Sequence, residues 1–485
     1  MKKILVRAGL SPFDNFSAEY VMNHSNILGN NSGNMLYAYG VWRALSVEDC
    51  TLVPTYYQYN YTETEIDAIN QCYDAFVIPL ANAFRVDFQK EMRGLTKLIK
   101  KLKIPVFVIG VGVNFPFEPE LNEKYPFDDT VKEFVKAVLD KSTWIGVRGE
   151  ITSRYLQGLG FTEGKHMTPI GCPSMYTFGD TLNIRNNVID VNSPVCFNHS
   201  TQAPDNILKF IMRTLDEFPN HNMILQTMKE YKFVYAGASY MYESEKDFPC
   251  KRMSDELYLN DRIRFFINVP SWLDFVGQQD FCYGPRLHGN IAAVLSGTPS
   301  ILFPKDARMR ELSEYHGLTS VMPDQVVEKS TLRDFIEKAD FQAPCRKHKE
   351  NFNHYIEFLE KNGLNHIFKE ESAPKETPFD IRMKGIKYEP GVTTIFGCEK
   401  EEIAKRQDIY MQSVWEKTRI LEKENKRVLK KYKDILKKND DEIIRELNGR
   451  LEKSNQKLRE QEKILNSKTV QMAMKLKHFT KLFSK

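Results

Sequence analysis

Short apolar runs alternate with longer amphipathic stretches along most of this chain, and that alternation restricts the fold more than any other feature. Lys3–Arg7, Asp74–Leu80, Pro105–Ile109 and Trp144–Val147 read as strands. Between them Asn34–Leu45, Glu63–Gln71, Phe88–Leu102 and Asp129–Leu139 carry helical periodicity. Strands joined by helices cannot pair as hairpins, so they form a parallel sheet covered by helices on both faces. The segment Met167–Asn187 is turn-rich and marks an inter-domain connection. A second alternation follows it, with strands at Pro194–Phe197, Asn222–Thr227 and Ile263–Asn268 and a helix at Asn206–Phe218. The expected organisation is therefore two α/β domains, residues 1–180 and 181–330, then a helical extension at 331–399.

After residue 399 the pattern changes. Val414, Leu421, Val428 and Ile435 recur every seven residues, and Ile444, Leu451, Leu458 and Leu465 resume after a nine-residue step. Residues 400–467 are thus expected to form a coiled coil that self-associates, with Thr418, Asn425, Tyr432, Ser454 and Gln461 as a weak second stripe. A single solvated helix is the alternative. The last 18 residues, 468–485, hold five lysines and no acid. On a helix Met472, Leu476, Phe479 and Phe483 share one face, which suits peripheral membrane contact or a disordered basic end. Residues 401–485 carry 23 Lys and Arg against 14 Asp and Glu, leaving 45 basic and 50 acidic residues before them. The mildly acidic body argues against nucleic acid as a partner. The eight cysteines show no paired or zinc-like spacing, so no metal is expected, and they read as reduced thiols of a cytoplasmic protein. Arg7 and Pro12 interrupt the first apolar run before it reaches signal-peptide length, and no run is long enough to span a membrane.

Chemistry concentrates in DFCYGPRLHGNIAAVLSGTPSILFPKDARMRELSEY, residues 280–315. It reads as strand, Gly284-Pro285 turn, small-residue helix, strand and helix, which puts Arg286 and His288 at a strand-to-helix turn. That edge of an α/β sheet opens into a crevice and presents unpaired N–H groups, so a cationic pair there suits a phosphate or carboxylate. An Arg and a His can also merely close such a loop. The run GPRLHGNIAAVLSGTP, followed by PKDARMREL and EYHG, closely resembles the C-terminal signature of the polysaccharide pyruvyl transferase family. SNILGNNSGNMLYAYGV, FVIGVGVN, GVRGEITSRYL and PIGCPS resemble its other motifs, so the likeness spans roughly residues 1–330. It implies two Rossmann-like domains facing a cleft, a GT-B-like arrangement. The implied activity moves the enolpyruvyl carbons of phosphoenolpyruvate onto two hydroxyls of a glycan or lipid-linked sugar as a cyclic ketal, with no cofactor.

Phosphoenolpyruvate carries a phosphate and a carboxylate, for which arginine forks are the natural partners. Arg286 is the first candidate. Arg148, in GVRGE, repeats the strand-turn-helix placement on the other domain, although a salt bridge to Glu150 or Asp140 would also account for it. His288 is the expected general acid for C3 of the enol. Gly29 and Asn30 form a loop whose amides could approach a ligand, and Gly284, Ser174 and Asn290 are further candidate contacts. Arg308 and Glu311 open a helix where a donor could be held, although Glu311 could serve the helix dipole alone. Two other classes fit less well: a GT-B glycosyltransferase using a nucleotide sugar, and a coiled-coil assembly protein with a pseudo-enzyme body.

Overall fold

The computed structural model describes residues 1–24, 26–58, 60–121, 123–241, 244, 246–436 and 441–467. The N-terminal body runs β1 (Lys2–Val6), α1 (Ala18–Asn23), α2 (Gly33–Leu45), β2 (Cys50–Pro54), α3 (Glu63–Cys72), β3 (Ala75–Pro79), α4 (Gln89–Lys101), β4 (Val106–Ile109), α5 (Asp128–Leu139), β5 (Ile145–Val147), α6 (Glu150–Gly158) and β6 (Met167–Pro169). Its strands are parallel in the order β2-β1-β3-β4, with the β5-β6 pair alongside. The Gly110 and Val111 amides donate to Gly146 O at 2.9 and 3.1 Å and join the two sets. Burial explains the sequence: β3 (AFVIP) and β4 (VFVI) are covered on both faces, so they read as unbroken apolar runs.

The C-terminal body contains β7 (Val195–Asn198), α7 (Asp205–Glu217), β8 (His221–Leu225), α8 (Met228–Ala236), α9 (Glu256–Leu259), β9 (Ile263–Phe265), α10 (Val269–Gly277), β10 (Phe281–Gly284), α11 (Leu287–Leu295), β11 (Ser300–Leu302) and α12 (Ala307–His316). Its five strands are all parallel, in the order β11-β10-β7-β8-β9. Two α/β bodies with parallel sheets are therefore present, as the alternation implies.

Helix α2 locks the bodies together. Every residue of it except Asn34 is buried, because it lies between the N-terminal sheet and helices α10 and α11 of the other body. Arg43 on α2 is held by the carboxylate of Asp380 at 2.7 and 2.9 Å and by Thr177 O at 2.7 Å. Three further helices follow, α13 (Leu332–Lys338), α14 (Ala343–Lys361) and α15 (Pro378–Lys384). Of these α14 crosses back onto the N-terminal body. Tyr355 stacks on Tyr176 with ring centroids 4.8 Å apart, and Asn362 Oδ1 accepts from the amides of Thr143 and Trp144.

The tail forms two helices. Helices α16 (Lys400–Leu436) and α17 (Asp441–Leu465) pack on each other within one chain, and Asn425 Nδ2 donates to Asn455 Oδ1 at 3.2 Å. Thr418, Asn425 and Ser454 of the weak second stripe are buried in this hairpin, whereas Leu421, Val428, Leu451 and Leu458 of the apolar stripe are half-buried. The first turns of α16 belong to the body. Ile409, Tyr410 and Val414 are buried, Gln407 Nε2 donates to Ala236 O, and Lys405 pairs with Glu19. The basic end, 468–485, lies outside the described residues. No helix among the described residues is long and apolar enough to cross a membrane.

Candidate active site

A cleft of about 880 Å³ opens where the carboxyl ends of the two sheets meet. Its walls are the loops after β1 (Arg7), β3 (Leu80–Ala83), β7 (Ser200–Gln202), β8 (Gln226–Glu230), β10 (Pro285–His288) and β11 (Lys305–Arg308), with Gly29–Asn31 closing one side. Parallel strands all end at the same edge, so their loops converge without further design.

The turn after β10 is built for a close approach. Gly284 has φ +137°, and a Cβ there would stand 2.1 Å from Asn198 O. Asn290 Nδ2 donates to Gly284 O and Arg286 O, both at 2.9 Å, and Asn198 Oδ1 accepts from the Arg286 amide at 2.6 Å. Asn290 therefore braces the turn and does not reach the cleft. Arg286 lines the cleft, but part of its guanidinium is spent: Nε donates to His199 O at 2.7 Å and Nη2 pairs with Glu230 Oε1 at 2.5 Å. Glu230 in turn accepts from the Gln226 and Thr227 amides at the start of α8.

The free cationic donors lie beside that turn. Arg148 has no exposed surface; its Nε donates to Gly110 O at 2.7 Å, and Nη1 and Nη2 have no partner. Its stem passes Gly112, where a Cβ would stand 2.9 Å away. The alternative, a salt bridge from Arg148 to Glu150 or Asp140, is not found among the described residues, and Glu150 pairs with Arg154 instead. Arg308 reaches the cleft with Nη2 3.2 Å from Asp306 Oδ2 and with Nε unpartnered. His288 Nε2 is buried without a partner as well, its ring 5.9 Å from that of Tyr37. Burial, then the charges of Arg148 and Arg308, hold His288 well below the usual histidine range. Without a ligand His288 is therefore neutral. Buried polar groups without partners are expensive, and Arg148, Arg308 and His288 each keep one, Arg308 and His288 in the cleft lining and Arg148 fully buried outside it.

Other expected residues fall differently. Gly29 (φ 55°) and Asn30 (φ 67°) adopt left-handed backbone and line the cleft. Asn30 O accepts from the Met228 amide at 3.2 Å and the Ser32 amide donates to Gln226 O at 2.8 Å, which fastens this loop to the C-terminal body. Ser174 is a correction: fully buried, with Oγ 2.9 Å from Cys172 Sγ, it packs under α2 away from the cleft. Glu311 is another. Its carboxylate accepts from Thr152 N at 3.0 Å and Thr152 Oγ1 at 2.8 Å, capping α6 across the domain boundary. Burial, the largest influence, raises its pKa to about 7. The sequence reading overlooked Arg7, Tyr37, Glu230 and Lys305, all of which line the cleft. Lys305 follows a strand just as Arg286 does, so the rule that selected one could have found the other.

The fold is two α/β bodies with parallel sheets, and the cleft between them is lined by cationic side chains, Arg7, Arg286, Lys305 and Arg308 among others. The polysaccharide pyruvyl transferase model matches residues 31–306, more than half of the chain, and the protein belongs to that family. Arg148, Arg286, His288 and Lys305 fall inside the match. A comparison with curated proteins gave no match. Among solved structures, the UDP-GlcNAc 2-epimerase of Methanocaldococcus jannaschii is 13% identical, with 74% of this chain and 99% of that one covered and a TM-score of 0.41. The Neisseria meningitidis UDP-GlcNAc 2-epimerase is 11% identical, with 75% and 100% covered and a TM-score of 0.40. Likenesses at this level carry no weight for activity.

Proposed function

We propose that the protein transfers the pyruvyl group of phosphoenolpyruvate to two hydroxyls of one sugar, in a glycan or a lipid-linked precursor, as a cyclic ketal. One observation carries the reading: Arg308 and His288 line the cleft with buried nitrogens that have no partner among the described residues, and the fully buried guanidinium of Arg148 acts on His288 through its charge. The guanidiniums would take the phosphate or carboxylate, and the partly spent Arg286 would fix the substrate's orientation. A sugar hydroxyl bonds to C2 as C3 takes a proton from an acid in the cleft, and gives its own proton to neutral His288; a second hydroxyl then displaces phosphate. Phosphoenolpyruvate is the co-substrate, and the scheme calls on no cofactor or metal. The same proposal places the enzyme in the cytoplasm, with self-association through the tail and with the basic end against a membrane surface.

The test combines crystals soaked in phosphoenolpyruvate with phosphate-release assays over a panel of hexopyranosides bearing free diols. The expected result is an anion bridging Arg148 and Arg308, and phosphate released only with particular diols. Binding or turnover of a nucleotide sugar in place of phosphoenolpyruvate would overturn the reading.

A further inference from the structure

The proposed reaction needs a proton at C3 of the enol, and His288, held neutral by burial and by the charges of Arg148 and Arg308, carries none to give. We propose that Lys305 is the acid that protonates C3, while His288 takes the hydroxyl proton. Lys305 lies just past β11 and faces the cleft with Arg286 and Arg308. Its Nζ donates to Ser200 Oγ at 2.7 Å and to Gln202 Oε1 at 3.1 Å, two neutral acceptors from the loop after β7. Those contacts fix the amine and leave its third N–H for the cleft.

The charged groups acting on Lys305 are Arg286, Arg308, Asp306 and Glu230, and none is an ion-pair partner. Asp306 caps the Met309 amide at 2.9 Å and takes Arg308, while Glu230 takes Arg286 and two amides. Burial first, and Arg286 next, bring the amine to about 7. A bound trianion supplies the missing counter-charge and returns it to the ammonium form. Lys305 and His288 are thus driven apart in protonation, which is how acid and base are separated within one site.

The proton count closes. In the first step the π electrons of the enol take a proton from the Lys305 ammonium, the sugar oxygen bonds to C2, and the hydroxyl proton passes to His288. In the second, the other hydroxyl bonds to C2 and its proton goes to neutral Lys305. The C2–O bond to phosphate breaks, and the leaving phosphate takes its proton from His288. Hydrogen phosphate departs, and both residues return to their starting states.

This inference rests on the pyruvyl-transfer reading, and the assay separates the two. On an accepted diol, wild-type kcat should fall on an alkaline limb between about pH 7 and 10, as the acid loses its proton. Lys305→Arg keeps the charge but does not release a proton at these pH values. It should bind phosphoenolpyruvate within a few-fold of wild type and lose roughly 10²- to 10⁴-fold in kcat, with the alkaline limb gone. Lys305→Gln, checked by its melting curve, gives the same comparison should the arginine not fit. Absence of phosphoenolpyruvate-dependent phosphate release by wild type would overturn both proposals. A wild-type kcat that stays flat to pH 10, or a Lys305→Arg enzyme that keeps its turnover and limb, would overturn this one alone.

Discussion

If Arg148 is held unpaired for the sake of a ligand, removing its charge should stabilise the empty protein while destroying its affinity. Arg148→Met keeps most of the stem that packs against Gly112 and deletes the guanidinium. The variant loses one charged hydrogen bond, Nε to Gly110 O at 2.7 Å, which is about 1.5–3 kcal/mol. It also loses the penalty of a buried cation whose Nη1 and Nη2 have no partner, which is several kcal/mol. The difference favours the variant by about 1–2 kcal/mol in urea titrations without ligand. Binding should suffer in the opposite sense. Two charged hydrogen bonds to an anion, about 3–6 kcal/mol together, correspond to a Kd raised roughly 10²- to 10⁴-fold. At a phosphoenolpyruvate concentration of about 100 times the wild-type Kd, ligand stabilises the wild type by about 2.7 kcal/mol. At that concentration the variant should gain about 0.4 kcal/mol or less. An Arg148→Met protein that unfolds more easily when empty, yet keeps its full response to phosphoenolpyruvate, would refute the argument. Arg148 would then be a strut between β4 and β5.

Without ligand Lys305 lies below its usual range, and a bound trianion raises it, so binding takes up a proton. Calorimetry at pH 8 in buffers of different ionisation enthalpy should show uptake approaching about one proton per phosphoenolpyruvate, and no buffer dependence would count against it. Gly33→Ala would set a Cβ 2.4 Å from His288 Nδ1. Displacing the ring by about 1 Å should cost roughly 10²-fold in turnover, while the melting temperature stays near wild type. Asp380→Ala leaves buried Arg43 without its carboxylate; because Asp380 is partly exposed, the loss in urea titrations should be about 2–3 kcal/mol, with phosphoenolpyruvate affinity unchanged. Ending the chain at residue 399 uncovers the surface under Ile409, Tyr410 and Val414 and should lower the melting temperature, whereas ending it at 436 should not. Light scattering on that pair reports whether the tail associates.

The strands legible in the sequence are those buried on both faces, because only there does burial write an unbroken apolar run. β2 is half exposed and β6 is three residues long, so neither left such a mark, and β6 was read as part of the turn-rich connection. The tail shows a different limit. Heptad spacing reveals an apolar stripe but not what covers it, and a helix of the same chain serves as well as a second copy. By spacing alone Lys437–Asp441 is a skip in a continuous coil, whereas α16 ends at Leu436 and α17 begins at Asp441.

For the site, sequence position locates the carboxyl end of a strand but not the direction of a side chain leaving it. Arg148, Arg286 and His288 sit just past strands, and Arg308 and Glu311 on the helix that follows β11, and the logic that chose them could not rank them. Distances do. Arg286 is partly consumed by Glu230, Glu311 turns away to cap α6, and Arg148 and Arg308 retain unpartnered nitrogens. Helix α12 ties these outcomes together. It carries Arg308 in the cleft, Glu311 on Thr152, and at its end His316, whose Nε2 accepts from the Cys172 amide at 2.8 Å. One helix thus sets a cleft cation and two contacts with the opposite body. A substitution that frees α12 from the N-terminal body would therefore shift Arg308 relative to Arg148 and widen the gap an anion must bridge.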